Sequence, residues 1–445
     1  MSTIAAVATP PGRGAIAIVR ASGPAVRDLA ARLVPERRLR AHRATTVEIV
    51  DESGKPIDRG VAIFAPAPRS YTGEDVLELH VHGSPVVARE VLRAMLAGGA
   101  RLAAPGEFTR RAFENGKIEL SAATAVADLI DAQTRAAARA AASNLAGGLR
   151  AEIERLAAAI GDLLERLAGA IDFPDEVPDP KPSALLQRIV FVEGELRRLL
   201  SMGEIGRLVR EGTTVAIVGP PNAGKSSLLN ALLGEERALV SELPGTTRDT
   251  IEESITVAGI AIRLIDTAGI RSHADRLESA GIERTMRALD QARIALVVID
   301  GSQPLDVATR DLLARTADRE RILFLNKADL GQAGAAEFGD DEAIVGSAFE
   351  PQTLTALRDA IARLGWGSEE IDLARPHLAS ALEFDAAHAA LRSLANARET
   401  LDAGEPVDLI SRDLNDALAA LRKITGEEVT EEVLDGIFAR FCIGK

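Results

Sequence analysis

A single cysteine, Cys442, stands in a chain of 445 residues. That excludes an internal disulfide and fits a reducing compartment, the cytoplasm. Hydrophobic residues make up 47% of the chain, yet no stretch approaches the roughly 18 uninterrupted apolar residues of a membrane-spanning helix. The opening, MSTIAAVATPPGRGAIAIVR, has no basic segment ahead of its apolar residues and is broken by proline and glycine, so no secretory signal is expected. Positive charge is in deficit, with 52 Lys and Arg against 66 Asp and Glu and a net charge of −14, which argues against a protein that coats nucleic acid non-specifically. The densest basic run, RLVPERRLRAHR at 32–43, reads as a solvated helix end and loop.

Single cores rarely grow beyond about 250 residues, so several domains are expected, in a multidomain α+β and α/β chain. Residues 1–118 mix β-branched runs (AIAIVR, TTVEIV, VAIFAP, VLELHVHG) with turn residues and predict an N-terminal α+β domain. Over 119–210, apolar residues recur every three or four positions in long amphipathic helices, interrupted by FPDEVPDPKPS. Over 211–374 the runs TTVAIVG, IAIRLID, RIALVVID, RILFLN and DEAIVGS alternate with helical or loop segments, the pattern of a mostly parallel sheet with crossover helices. Helical periodicity returns over 375–445. The simplest architecture is one discontinuous helical domain with an α/β domain inserted in it.

The inserted segment carries the chemistry. GPPNAGKS (219–226) follows an apolar run and opens a helical one. Glycines let the backbone turn around a β-phosphate, successive N–H groups attract the anion, Lys225 reaches the β- and γ-phosphates and Ser226 binds Mg2+. The loop residues Asn222, Ala223, Gly224 and Ser227 complete this seat. In LIDTAG (264–269), Asp266 meets Mg2+ through its hydration shell, and Thr267, Ala268 and Gly269 lead to an N–H that senses the γ-phosphate. In FLNKADL (324–330), the Asp329 carboxylate accepts from guanine N1–H and N2–H2, a donor pair that adenine lacks. Asn326 bonds the purine's other polar edge and Lys327 lies along the base. Ser347 and Ala348, in GSA, offer a backbone N–H to the guanine oxygen. Three motifs in this order predict a P-loop domain for GTP. Between the first two, SELPGTTRD (241–249) suits a switch loop in which Gly245 and Thr246 precede Thr247, a threonine able to close on Mg2+.

Many GTPases place a glutamine after DTAG to orient the attacking water; here Ile270 occupies that position. An apolar side chain cannot hold water, so the catalytic group must come from the polar segment that follows, where Asp275, Glu278 and Glu283 are candidates.

TPPGRGAIAIVR near the start, PGEFTRRAF at 105–113, PGTTRD inside a GTPase segment inserted in helices, and the terminal FCIGK together resemble the tRNA modification GTPase family called MnmE or TrmE. The resemblance covers essentially the whole chain. It implies an N-terminal domain that dimerises and binds a folate one-carbon carrier, a 5,10-methylene- or 5-formyl-tetrahydrofolate, through Arg20, Glu78, Lys117 and Lys445. It implies a K+ ion held by Asn222, the backbone of Ser241 and Leu243, and Thr246, with Mg2+ on Ser226 and Thr247 and Glu278 as the water-orienting carboxylate. A K+ beside the β- and γ-phosphates would stabilise charge in the transition state where other GTPases receive an arginine. It further implies a homodimer, an FAD-carrying partner of MnmG type, and joint modification of C5 of the wobble uridine 34 of certain tRNAs.

The resemblance also bears on Cys442, whose ordinary role would be that of a small buried apolar residue. The family ending puts its thiol beside the folate, where a thiolate adding at C6 of a pyrimidine would activate C5; positioning and one-carbon handling are equal alternatives. Glu78, His80 and His82 alternate on one strand, but three ligands spread over about 13 Å do not converge on one ion without a bend. Two other readings stay open: a regulatory GTPase switch in ribosome or RNA assembly, against which no GxxG-bearing pattern is found, and a membrane-remodelling GTPase, for which a basic amphipathic segment is wanting.

Overall fold

The computed structural model describes residues 2–173, 175–176, 178, 180–234, 252–266, 278–331, 337–338, 343–367, 377–427 and 429–445. In chain order the elements are β1 (Ile4–Val7), β2 (Ile16–Ser22), α1 (Val26–Leu33), β3 (Thr45–Val50), β4 (Pro56–Ala65), β5 (Val76–His82), α2 (Pro85–Ala97), β6 (Arg101–Leu102), α3 (Glu107–Glu114), α4 (Leu120–Asp131), α5 (Arg135–Leu145), α6 (Gly148–Asp172), α7 (Pro182–Glu211), β7 (Thr213–Val218), α8 (Lys225–Gly234), β8 (Glu252–Val257), β9 (Ile260–Asp266), α9 (Glu278–Gln291), β10 (Ile294–Asp300), α10 (Val307–Arg315), β11 (Arg321–Asn326), β12 (Ile344–Val345), α11 (Pro351–Trp366), α12 (Ala381–Asp402), α13 (Val407–Thr425) and α14 (Glu431–Phe438). The chain divides into two compact units, one of residues 1–127, 144–197 and 379–445, the other of 128–143 and 198–378.

In the first unit, alternating burial along β2 and β5 marks strands with one face turned inward. They lie in a six-stranded sheet of order β3-β4-β5-β2-β1-β6, antiparallel except for the β1–β6 pair. The buried residues Leu77, Leu79 and Val81 of β5 pack with Val91 and Met95 of α2, which Pro85 starts at a position where a missing N–H costs nothing. In the helical part, α6 buries Leu149, Ile153, Leu156, Ile160, Leu163 and Leu167, a three-and-four spacing that forms one apolar stripe. Helix α13 packs against both α6 and α12. Ser380 and Glu383 close a capping box at the start of α12. A separate cluster of Leu120, Ala123, Leu434, Phe438 and Phe441 anchors α14 and the residues after it.

In the second unit, six described strands run β12-β11-β10-β7-β9-β8, all neighbours parallel except β8 and β9. Val215 and Ile217 of β7 join the core shared with α8 and α11, while Ala216 and Val218 join a core on the opposite face with Leu289 of α9. Burial on both faces is why these strands read as continuous apolar runs in the sequence. The fold is thus an α+β sheet domain, a helical domain in separate chain pieces, and an inserted P-loop domain with a mostly parallel sheet. Compactness divides the chain elsewhere than composition does: the longer piece of the second unit begins inside α7, at Arg198, whereas apolar periodicity changes only at 210–211.

Candidate active site

The nucleotide seat lies at the carboxyl ends of parallel strands, the usual ligand position in such sheets. Strand β7 delivers Gly219, and a Cβ there would come within 2.2 Å of the Val298 carbonyl, so only glycine lets the loop leave the strand this close to β10. Asn222 (φ 62°) and Gly224 (φ 97°) take left-handed conformations that curl the loop before α8 begins at Lys225. Lys225 is buried, and its Nζ donates to the Gly219 and Pro220 carbonyls at 2.9 and 2.8 Å. The loop therefore holds its own lysine inward, ready to meet an anion held by the N–H groups. Ser226 is exposed on the first turn of α8, Ser227 half-buried and Ala223 buried.

Asn326 closes the seat from the far side. It is buried, its Nδ2 donates to the Ala223 carbonyl at 2.9 Å, and its Oδ1 accepts from the Ala348 N–H at 2.9 Å. One side chain thus ties the phosphate loop to the segment after β12. The same geometry modifies two expectations. Asn326, expected on the purine edge, has one Nδ2–H committed to Ala223, and of the GSA backbone N–H groups expected to serve the guanine oxygen, that of Ala348 is engaged by Asn326. Lys327 has φ 66° and pairs with Asp300 at 2.7 Å. Asp329 is exposed and Ser347 buried. Asp266 ends β9, with its Cα in register with Ile217 of β7, which puts it beside the strand that feeds the phosphate loop.

Of the expected residues, Ser241, Leu243, Gly245, Thr246, Thr247, Thr267, Ala268 and Gly269 lie outside the described residues, as does Asp275. Glu278 opens α9, and its side chain is likewise outside. Among described residues, the expected Mg2+ set is represented by Ser226 and the K+ set by Asn222. An all-oxygen donor set of hydroxyl and carbonyl groups suits hard cations such as these.

The second set of residues gathers in the N-terminal sheet. Arg20 of β2 and Glu78 of β5 are register partners and form an ion pair at 2.7 Å. The Arg20 guanidinium lies 5.8 Å from the Tyr71 ring centroid and 5.6 Å from that of Phe108. Its Nη1 donates to the Gly444 carbonyl at 3.5 Å. Burial raises the pKa of the Glu78 carboxyl, but Arg20 and His80 outweigh it and hold the group ionised below the usual carboxylate range. Lys117 donates to the Pro68 carbonyl at 3.1 Å, at the edge of the loop that carries Tyr71. The segment around Cys442 is pinned over α3: Gly106 N–H donates to the Cys442 carbonyl at 3.4 Å, Phe108 N–H to the Lys445 carbonyl at 3.1 Å, and Pro105 bridges Ile443. The Cys442 thiol is exposed. Arg20 and Glu78 thus form a charged pair beside two aromatic rings, with the backbone of Gly444 against it.

His80 bonds Glu78 at 3.3 Å and His82 bonds Asp58 at 2.8 Å, so the two histidines serve different carboxylates. No group of three His, Cys, Asp or Glu suited to a metal occurs among the described residues. A cavity of about 570 Å3 opens beside α3 and α14, lined by Arg101, Glu107, Arg110, Arg111 and Asp435 among others; Arg20, Glu78, Lys117 and Lys445 do not line it. Tyr71 and Phe108 escaped sequence reasoning because isolated aromatics carry no period. No described helix is long and apolar enough to cross a membrane.

Residues 3–117 match the family described as GTP-binding protein TrmE N-terminus, and residues 120–442 match the MnmE helical domain. Three relatives, each a tRNA modification GTPase MnmE, align along the whole chain. That of Heliobacterium modesticaldum is 42% identical over 464 residues, covering 100% of this chain and 99% of the relative. That of Laribacter hongkongensis is 42% identical over 449 residues with the same coverage. That of Chloroflexus aurantiacus is 44% identical over 453 residues, again covering 100% and 99%. The alignments span sheet domain, helices and GTPase segment, so the chain belongs to the tRNA modification GTPase MnmE family, a family of GTP-hydrolysing enzymes.

Proposed function

We propose that this protein is the GTP-hydrolysing component of a tRNA-modifying complex in the cytoplasm, acting as a homodimer with an FAD-carrying partner of MnmG type. The modification is addition of an aminomethyl or carboxymethylaminomethyl group at C5 of uridine 34. The observation that supports this reading is the seating of the Cys442 segment on α3 with the Gly444 carbonyl 3.5 Å from Arg20, which brings an exposed thiol and the Arg20–Glu78 pair into one neighbourhood.

In the GTPase half, the loop of 219–224 holds the phosphates by backbone N–H groups and Lys225 neutralises charge on the β- and γ-phosphates. Ser226 and Thr247 would hold Mg2+, which would offset the charge that develops on the phosphate oxygens. Asn222, the backbone of Ser241 and Leu243, and Thr246 would hold K+, whose charge would add to that of Mg2+ beside the β- and γ-phosphates. Glu278 orients the attacking water, a task closed to Ile270. Asp329 selects guanine. In the other half, Arg20, Glu78, Lys117 and Lys445 would hold a tetrahydrofolate, the carrier of the one-carbon unit. Cys442 either adds as a thiolate to C6 of the uridine, moving the C5–C6 electron pair onto C5, or serves in positioning or in one-carbon handling.

Mass spectrometry of tRNA nucleosides from cells lacking the gene, with and without the restored protein, tests the proposal. Loss of the 5-aminomethyl-type wobble uridines, recovered on restoration, is the expected result. An unchanged profile would leave a GTPase acting as a regulatory switch. Equal GTP turnover with sodium replacing potassium would refute the Asn222 ion site.

A further inference from the structure

Asp300, at the end of β10, is the ion-pair partner of Lys327. It faces Asn326 across the β10–β11 ladder, one residue from Lys327. Its Oδ2 lies 2.7 Å from Lys327 Nζ, and its Oδ1 accepts from the Ser302 N–H at 3.1 Å and the Ser302 hydroxyl at 2.6 Å. The next residue, Gly301, donates its N–H to the Asn326 carbonyl at 2.8 Å, so the turn that carries Ser302 is fastened to the base-binding strand. Burial pushes the Asp300 carboxyl up, but bonds from Lys327 and Ser302 prevail and keep it below its ordinary range.

A lysine has four rotatable bonds and is normally a mobile point charge. Lys327 is instead fixed at both ends, by a left-handed backbone (φ 66°) and by a carboxylate that is itself immobilised from two sides. A stem held in this way presents its methylene groups as a rigid apolar strip, and a planar base can lie on it without first ordering the side chain. The pair is only partly exposed, at 29% and 27% of its side-chain surface, so solvent screens it incompletely.

We propose that Asp300 is a positioning residue for nucleotide binding: it holds Lys327 extended as the platform on which the purine lies. The proposal rests on the reading that the NKAD segment seats the base. It carries a signature that a structural ion pair lacks. A platform touches the face of the ring and is blind to the exocyclic amine, whereas Asp329 reads that amine.

The test is calorimetric titration of the full-length protein with GDP and with IDP, whose hypoxanthine base lacks the 2-amino group. Asp300→Asn is expected to weaken both nucleotides by the same factor, about 3- to 10-fold, with their ratio retained, since a charge-assisted hydrogen bond becomes a neutral one. In a Lys327→Ala background the same substitution is expected to do nothing further. Asp329→Asn is expected to collapse the preference for GDP over IDP; a preference that survived would refute the base reading by itself, independently of Asp300. Affinities unchanged by Asp300→Asn, or a loss that persists in full without Lys327, would overturn the proposal. Should Asp300→Asn fail to fold, Ser302→Ala removes one of the two bonds that fix the carboxylate. It is expected to weaken GDP and IDP equally by a smaller factor, and unchanged affinity would refute the platform.

Discussion

Asn326→Ala should damage the protein before any nucleotide is added. The substitution removes two buried hydrogen bonds of 2.9 Å and strands the Ala223 carbonyl and the Ala348 N–H. Leaving a buried backbone group without its partner costs about 1–3 kcal/mol, so two such groups give a loss of roughly 2–6 kcal/mol. The lower half of that range is expected, because the Asn222 side of the loop is exposed and a water can enter. Asn326→Asp separates the two bonds. It keeps an acceptor for Ala348 N–H but sets an oxygen against the Ala223 carbonyl, so its loss should deepen as pH rises through the ordinary aspartate range near 4. Urea unfolding of the nucleotide-free protein, followed at several pH values, measures both. A loss below about 1 kcal/mol for Asn326→Ala, with GDP affinity intact, would show that the phosphate loop holds its shape unaided and refute the reasoning.

Asp128→Asn should stabilise the protein near neutrality. Burial raises the Asp128 pKa from 3.8 to about 6 against the pull of Arg210, so the folded state binds a proton that the unfolded state releases, and stability is lost as pH rises through 6. The gain from the amide should be near zero below pH 4 and grow to roughly 2–3 kcal/mol above pH 6, and a destabilised variant at pH 7.5 would contradict the sign. Gly106→Ala puts a Cβ 2.8 Å from the Phe438 carbonyl at a residue with φ 65°; the left-handed backbone alone costs about 1–2 kcal/mol, and hydrogen exchange across 434–445 should accelerate. Unaltered exchange there would mean that α14 does not depend on the close approach. Lys225→Ala should lower GTP turnover at least ~100-fold, as loss of a preorganised charge at the phosphates does; retained turnover would remove Lys225 from the mechanism.

The nucleotide seat was legible because its parts are local. A glycine loop between an apolar strand and a helix, or NKAD at a strand end, occupies a few consecutive residues, and its chemistry does not depend on distant partners. What stayed hidden was pairing across the chain. Asn326 meets Ala223 over a separation of 103 residues, and nothing in either segment marks the bond. Arg20 meets Glu78 because β2 and β5 are neighbours in the sheet, a fact of topology rather than composition. Strand β8, antiparallel at the sheet edge, and the short β1 and β6 carry too few residues with a clear period to stand out. The longer piece of the second unit begins inside α7, within one unbroken helix from Pro182 to Glu211, with no turn at Arg198 to mark the boundary.

The strap across α3 also sets an order of events during synthesis. The Gly106 and Phe108 N–H groups bond to the carbonyls of Cys442 and Lys445, and Phe438 and Phe441 bury against residues near position 120. A ribosome that has made the sheet domain, the helices and the whole GTPase segment has still left the Arg20 neighbourhood without its closing side. The GTPase seat, whose residues lie within 213–367, can form and bind nucleotide while the nascent chain is still tethered. The GTPase segment is therefore complete earlier in the life of each molecule than the strap over α3, and a truncated product stopped short of residue 438 would lack that strap.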